Sequence, residues 1–402
     1  MKIIGIVVEY NPFHNGHLYQ IQSLRERFHP DGIVVIMSGH FVQRGQPAIF
    51  DKWMRAEMAL ICGVDLVLEL PFYDATSSAE GFADGAVRAL AATGIVTHLA
   101  FGTECDDLTL LTKIARIYAE EPSHFKDQLS EHLKSGLPFA KAREKALQDA
   151  FPQFDDSQLT AVRKSNAILA IEYLKACYRH GLDLEPLPIK RIGSDYHNAD
   201  LQENYASATA IRSILKAIPT PSRKQLMTVM PVSAVDCMMA SGINRQLDIN
   251  AFEPYIRYRL ALMDAGALAN IRGVSEGLEY KLAAASKNFT DLSDLIVQLK
   301  SKRYAETRLH RILINVLLDV HPLDTTATYL RVLGFTPTGQ ACLKAMKSMA
   351  SRTIVTTLSK APAEVLNDPH MKLDLLATDL YHMAAGQTKS GMDFTKPPIQ
   401  IK

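Results

Sequence analysis

Ile3-Ile4-Gly5-Ile6-Val7-Val8-Glu9-Tyr10-Asn11-Pro12-Phe13-His14-Asn15-Gly16-His17 is the stretch on which the reading of the fold turns. The apolar run Ile3–Val8 predicts a strand buried on both faces. Asn11-Pro12 breaks that strand, and Leu18–Phe28 continues with helical spacing. His14-Asn15-Gly16-His17 therefore falls at a helix start, just past a strand. Free backbone N–H groups and the positive end of the helix dipole favour an anion there. Gly16 lets the backbone approach closely, and His14 and His17 can donate to phosphoryl oxygens as negative charge develops.

The same alternation continues outward. Gly32–Gly39, Asp65–Pro71, Thr97–Glu104 and Leu184–Ile192 are further predicted strands. Helical patterns at Asp51–Leu60 and Ser77–Ala92 separate the early ones, so a parallel sheet with right-handed crossovers is expected. Ligands in such sheets bind beyond the carboxyl ends of the strands. That rule gathers Asn11–His17, Ser38–Gln46, Pro71–Tyr73 and Gly102–Glu104 around one crevice. Leu108–Ala119, His124–Lys134, Phe139–Ala150 and Ser165–His180 are predicted helices, and Gly193–His197 a polar loop. Ser207-Ala208-Thr209-Ala210-Ile211-Arg212 opens a short helix with two hydroxyls and a cation one turn on, a second phosphate-binding device.

Pro219-Thr220-Pro221-Ser222 predicts a boundary, dividing the chain into 1–218 and 222–402. The second part has helical periodicity at Tyr255–Ala265, Glu276–Lys287, Thr290–Leu299, Glu306–Leu318 and Thr338–Ser351. Residues 1–220 hold 22 basic and 27 acidic side chains, net −5, whereas residues 221–402 hold 22 and 16, net +6. The second part thus has the charge to meet a polyanion. Its most basic stretch, Lys300–Arg311, puts cations against the dipole of a predicted helix start, where local stability gains nothing from them. Lys300, Lys302, Arg303, Tyr304, Arg308 and Arg311 are the candidate RNA contacts, for phosphate and base stacking.

Among 402 residues, 47% hydrophobic and 22% charged, no apolar run reaches the roughly 20 residues that span a bilayer. No membrane partner is expected, no signal-peptide pattern opens the chain, and a cytoplasmic location is expected. Cys62, Cys105, Cys177, Cys237 and Cys342 are widely spaced, which suits small core residues better than a zinc or disulfide framework.

The His14–His17 segment resembles the HxGH signature of the nucleotidyltransferase-like superfamily, and Ser207–Arg212 resembles its Ser/Thr-rich triphosphate loop. Together with residues 38–60, 63–72, 101–104, 164–174 and 190–197, these segments resemble the bacterial tRNA(Met) cytidine acetate ligases. The resemblance implies an α/β, Rossmann-like nucleotidyltransferase domain with a parallel sheet, followed by a mainly helical domain. It implies that ATP and acetate form acetyl-adenylate, whose acetyl group passes to the wobble cytidine of elongator tRNA(Met). It also places ATP on Val7, Val8, Glu9, Tyr10, Asn11, Pro12, Phe13, His14, Asn15, Gly16, His17, Leu18, Tyr19 and Gln20, with Gly102, Asn166 and Arg191. Ser207, Thr209 and Arg212 are candidates for the phosphates, with His14, His17 and Arg212 as the catalytic set. Gln43, Arg44 and Lys52 lie in the loop region suited to acetate. Mg²⁺ is expected to arrive with ATP, with no dedicated carboxylate cage. Two alternatives stay open. One is an adenylyltransferase moving AMP onto a phosphorylated small molecule. The other is a non-catalytic RNA-binding protein, against which His14, His17, Arg191 and Arg212 together speak.

Overall fold

The computed structural model describes residues 1–191, 206–217, 222–240 and 247–402. The loop expected at Gly193–His197 and the Pro219–Pro221 part of the expected boundary lie outside these residues. The first five sheet strands fall where the apolar runs predict them: β1 (Ile3–Val8), β2 (Gly32–Ser38), β5 (Leu66–Leu70), β6 (His98–Thr103) and β7 (Glu185–Lys190). Between β2 and β5 a small antiparallel hairpin forms from β3 (Phe41–Val42) and β4 (Gln46–Pro47).

Every residue of β2 and β5 is buried, because these strands lie inside the sheet and are covered on both faces. Alternation decides which core each side chain joins. Ile3, Val34 and Ile36 pack under the helices Ala79–Ala91, Leu108–Glu120 and Ser165–His180. Ile4, Ile6, Ile33 and Val35 face the opposite core, with α1 (Asn15–Phe28), α2 (Lys52–Ile61) and the helices Ala208–Ala217 and Val232–Ala240. In-register pairing of Val8 with Met37 brings the ends of β1 and β2 level, so that Glu9 and Ser38 emerge side by side.

The part beyond residue 222 is mainly helical, as expected. Glu253–Ala261, Leu278–Ala285, Leu292–Leu299 and Glu306–Leu317 surround a third core of Phe252, Leu282, Leu295 and Leu313. This part also supplies strands that helical periodicity does not reveal: β8 (Tyr329–Phe335), β9 (Thr353–Val355) and β10 (Ile399–Gln400). They join the main sheet, whose order is β10-β8-β5-β2-β1-β6-β7 with β9 paired to β8. All neighbours run parallel except β5 and β8, which pair antiparallel. The sheet therefore takes strands from both sides of residue 218. Gly334 makes room for this, since a Cβ there would stand 2.9 Å from the Ile399 carbonyl oxygen. Helices such as Asp156–Val162, Val232–Ala240 and Pro369–Ala384 also form where none was expected. No described helix is long and apolar enough to cross a membrane.

Candidate active site

The turn after β1 is built by its own side chains. His14 caps α1: its Nδ1 accepts from the Gly16 N–H at 3.1 Å, while His17 Nδ1 accepts from the His14 N–H at 3.2 Å. Imidazole thus fills both positions of a capping box. With each Nδ1 accepting, the ring proton of each neutral imidazole sits on Nε2. The rings stack at 3.7 Å between centroids. Burial and the nearby Arg191 and Arg212 push His14 down to about 4; burial and the His14 ring hold His17 well below the usual histidine range. Both rings are therefore neutral Nε2–H donors at neutral pH, at the positive end of a helix.

Two arginines brace this turn and a third stands near its histidines. Arg55 of α2 is fully buried and donates to the carbonyls at the ends of two strands. Its Nη1 reaches Glu9 O at 2.6 Å and Ser38 O at 3.0 Å, its Nε reaches Phe50 O at 3.0 Å, and Nη2 donates to Gly39 O. A guanidinium is suited to this task because its donors diverge in one plane. Arg212 donates from Nη1 to Asn11 O at 2.7 Å and from Nη2 to Thr209 Oγ1 at 2.9 Å, fastening the Ser207–Arg212 helix start to the β1 turn. Ser207 Oγ accepts from the Ala210 N–H at 3.1 Å, as a capping serine does. On the β6 and β7 side, Arg191 lies across Gly102: a Cβ there would be 3.3 Å from Arg191 Cγ. Arg191 Nη1 donates to Asn166 Oδ1 at 3.4 Å, and Asn166 Nδ2 donates to Glu104.

On the β2 side, Glu9 accepts at Oε1 from the Gln43 N–H at 2.9 Å. Burial raises its carboxyl pKa, while the Gln43 N–H and the Arg55, Arg212 and Arg44 charges oppose that rise. Gln43 and Arg44 sit on the β3–β4 hairpin, with Arg44 exposed.

These groups meet around one cavity of about 360 Å³ at the carboxyl ends of β1 and β6. Eight of the positions expected between Val7 and Gln20 line it: Val7, Val8, Glu9, Tyr10, Asn11, His14, His17 and Gln20. Gly102, Asn166, Arg191, Ser207, Thr209, Arg212, Gln43 and Arg44 line it too. Pro12 and Phe13 are buried beneath the turn, Leu18 and Tyr19 pack against the core behind it, and Asn15 is bonded to Thr228 and Val229. Gly16 lies against the His14 ring, where a Cβ would be 3.0 Å away. Phe82, Phe101, Leu169 and Tyr173, unnoticed as site residues in the sequence, form the apolar wall. Arg55 was also missed, because an arginine on a helical pattern gives no sign that strand ends surround it.

Lys52 is placed elsewhere. Its side chain is fully buried on α2, with Nζ 2.8 Å from both Glu69 Oε1 and Asp393 Oδ1 and 3.2 Å from Thr378 Oγ1. An ammonium already shared by two carboxylates is not disposed to hold acetate. The basic segment also differs from expectation. Tyr304 is buried with its hydroxyl donating to Glu276 O at 2.6 Å, so its ring is no stacking platform. Lys300 pairs with Glu306 at 2.8 Å and Arg308 with Glu276 at 3.1 Å, while Lys302 and Arg303 are exposed. Arg311 contacts the β3–β4 hairpin, its Nη1 3.4 Å from Gln43 O. Among the described residues no three His, Cys, Asp or Glu side chains are grouped to hold a metal ion. Cys62, Cys105, Cys177 and Cys342 are buried free thiols, and Cys237 is half-buried.

A family model described as HIGH nucleotidyl transferase matches residues 1–394. A relative from a Thermoanaerobacter species, described as a tRNA(Met) cytidine acetate ligase, is 41% identical over 408 residues and covers 100% of both chains. A relative with the same description from Clostridium perfringens is 40% identical over 410 residues, covering 99% of each. Among solved structures, Thermotoga maritima TmcAL bound with alpha-thio ATP is 33% identical, covers 100% of both chains and superposes with a TM-score of 0.91. The apo form of that protein gives a TM-score of 0.92 at the same identity and coverage.

Proposed function

The chain belongs to the tRNA(Met) cytidine acetate ligase family of HIGH nucleotidyl transferases, and from that premise we propose the reaction it carries out: ATP-dependent activation of acetate, then acetylation of the wobble cytidine of elongator tRNA(Met). Membership makes it an ATP-utilising ligase of this general class. The finer reading is carried by one observation, the stacked His14–His17 pair facing Arg212 across the end of β1.

In the first step an acetate oxygen attacks the α-phosphorus of ATP in line, the bond to the bridging oxygen breaks, and pyrophosphate leaves. Such a step needs positioning and charge stabilisation more than a strong base. The Nε2–H groups of His14 and His17 would donate to the phosphoryl oxygens, with Ser207, Thr209 and Arg212 on the leaving pyrophosphate. Neutral donors suit this role, because they bind the developing charge without a competing counter-ion. Gly102, Asn166 and Arg191 would hold the nucleoside. Mg²⁺ would enter with the triphosphate as part of the substrate. Glu9 is the one carboxylate described in the cavity lining, and one carboxylate does not make a protein-held cage.

In the second step the cytidine N4 attacks the acetyl carbonyl carbon, the bond to the AMP oxygen breaks, and the amine loses a proton, giving N4-acetylcytidine. The base must leave its stack to reach the cavity. Gln43 and Arg44 lie on the β2 side, opposite the nucleoside contacts, and are the candidates for acetate.

The test uses purified protein, ATP, radiolabelled acetate and unmodified tRNA(Met), with digestion of the RNA to nucleosides. ATP-dependent label in N4-acetylcytidine is expected. Label in acetyl-adenylate alone, with every tRNA supplied, would overturn the transfer step.

A further inference from the structure

We propose that Arg311, packed against the β3–β4 hairpin, holds a backbone phosphate of the RNA beside the base being modified. The inference rests on the RNA reading of the cavity given above.

The hairpin that carries Gln43 and Arg44 is seated on the helix Glu306–Leu317 at backbone level. Gly45 has φ +71°, and a Cβ there would stand 2.2 Å from the Arg311 backbone nitrogen. Three guanidiniums meet beneath it. Arg272 is committed: it stacks 3.5 Å from the Tyr73 ring centroid and donates to Tyr73 O and Ser77 Oγ. Arg308 is committed as well, to Glu276 at 3.1 Å, Ser275 Oγ at 2.7 Å and Gly273 O at 3.2 Å. Arg311 makes one long hydrogen bond, to Gln43 O at 3.4 Å, and has no carboxylate within ion-pair distance among the described residues. The acidic groups nearby are spent elsewhere: Glu276 on Arg308 and Glu306 on Lys300. Asp74 faces Arg272.

The protein therefore places Arg311 at a twofold disadvantage. It is largely out of water and beside two like charges, which together bring its guanidinium down to about 10. No described protein group offsets these costs. A phosphodiester would offset both at once, and the planar fork with unspent donors matches its two free oxygens. Such local conflicts concentrate where a ligand resolves them. Arg311 does not line the cavity, so the triphosphate is not that ligand. Arg44, exposed on the hairpin, lines the cavity mouth. A single strand crossing the hairpin would lay one phosphate on Arg311 and turn the neighbouring base into the cavity past Arg44.

The test is filter binding of unmodified tRNA(Met) between about 50 and about 200 mM salt, for wild type, Arg311→Gln, Arg311→Lys and, as a remote control, Arg116→Gln. Losing one single-strand phosphate contact should make the slope of log affinity against log salt shallower by about 0.7. The deficit of Arg311→Gln should then be about 2.6-fold larger at the low-salt end than at the high-salt end. Arg311→Lys should recover part of the slope, and Arg116→Gln should run parallel to wild type. A steep wild-type line with an unchanged Arg311→Gln slope would overturn this proposal alone. A flat wild-type line would remove the RNA reading and the proposal with it. Phosphate-ethylation interference with wild-type protein needs no variant to fold. Interference at a phosphate flanking the wobble cytidine is expected, and interference confined to phosphates away from it would overturn the proposal.

Discussion

Replacing Lys52 by methionine separates two roles for a lysine that the sequence places near acetate and the structure places in the core. Methionine keeps most of the volume and removes the charge. Glu69 and Asp393 each lie 2.8 Å from the ammonium, and all three side chains are at most 5% exposed. Breaking one partner out of a buried pair costs about 3–5 kcal/mol. Arg331, 3.6 Å from Asp393, softens the loss on that side, so Glu69 carries most of it. A cost of about 4 kcal/mol is close to a thousand-fold in the unfolding equilibrium. The sign of the pH dependence also follows. Burial raises the Glu69 pKa, and with the cation gone nothing equivalent opposes it. The native variant would then bind a proton that the unfolded chain does not, so its stability falls as pH rises through the mildly acid range. Urea unfolding of wild type and Lys52→Met should show the deficit smaller at about pH 5 than at about pH 8. A deficit below about 1 kcal/mol, flat with pH and joined by a raised KM for acetate, would refute the structural reading of Lys52.

Three further outcomes are expected. His17→Ala should slow acetate-dependent exchange of pyrophosphate into ATP by about 10²–10³-fold, the usual cost of one donor to a developing charge, and undiminished exchange would take His17 out of that role. His14, with its folded pKa near 4, disfavours folding progressively as pH drops below the unfolded value of about 6.5. That amounts to roughly 3 kcal/mol once both forms are protonated, so unfolding measured in His14→Asn should show a weaker loss of stability on acidification. Gly45→Ala combines a left-handed backbone with a Cβ 2.2 Å from Arg311 N; melting should fall by at least about 1–2 kcal/mol in stability terms, and KM for acetate should rise as the hairpin moves off the helix. An unchanged KM in that variant would uncouple the hairpin from the acetate side.

Much of this was legible because its causes are local. The Ile3–Val8 run and the His14–His17 turn lie within one stretch, so apolar patterning and capping chemistry reveal both a buried strand and an anion-ready helix start. The Ser207–Arg212 device is equally self-contained, and the structure brings it to the same cavity. What was illegible depends on partners far along the chain. Lys52 and Arg55 are three residues apart on α2 and look like the polar face of a surface helix. Their burial is decided by Glu69, by Asp393 and by strand-end carbonyls that no periodicity of α2 can announce. Tyr304 misled for the same reason, since only the Glu276 carbonyl shows that its ring points inward. The β8 run Tyr-Leu-Arg-Val-Leu-Gly-Phe did carry a local signal, a strand-like segment followed by Thr336 and Pro337 at a helix start. A window tuned to helical period passes over a single strand set among helices.

The β5–β8 pairing has a consequence for how the molecule is assembled in time. Val67 meets Gly334 and Leu66 meets Phe335, so this seam joins segments more than 260 residues apart. Seams that span so much chain form late, because loop closure must precede any reward from contact. Until β8 arrives, the fully buried β5 is a bare sheet edge of Leu66, Val67, Leu68, Glu69 and Leu70, the kind of surface that recruits another chain. A chain cut near residue 218 would hold every group assigned here to the triphosphate and still carry that edge. Such a fragment should collect in aggregates rather than turn over ATP as a free-standing module.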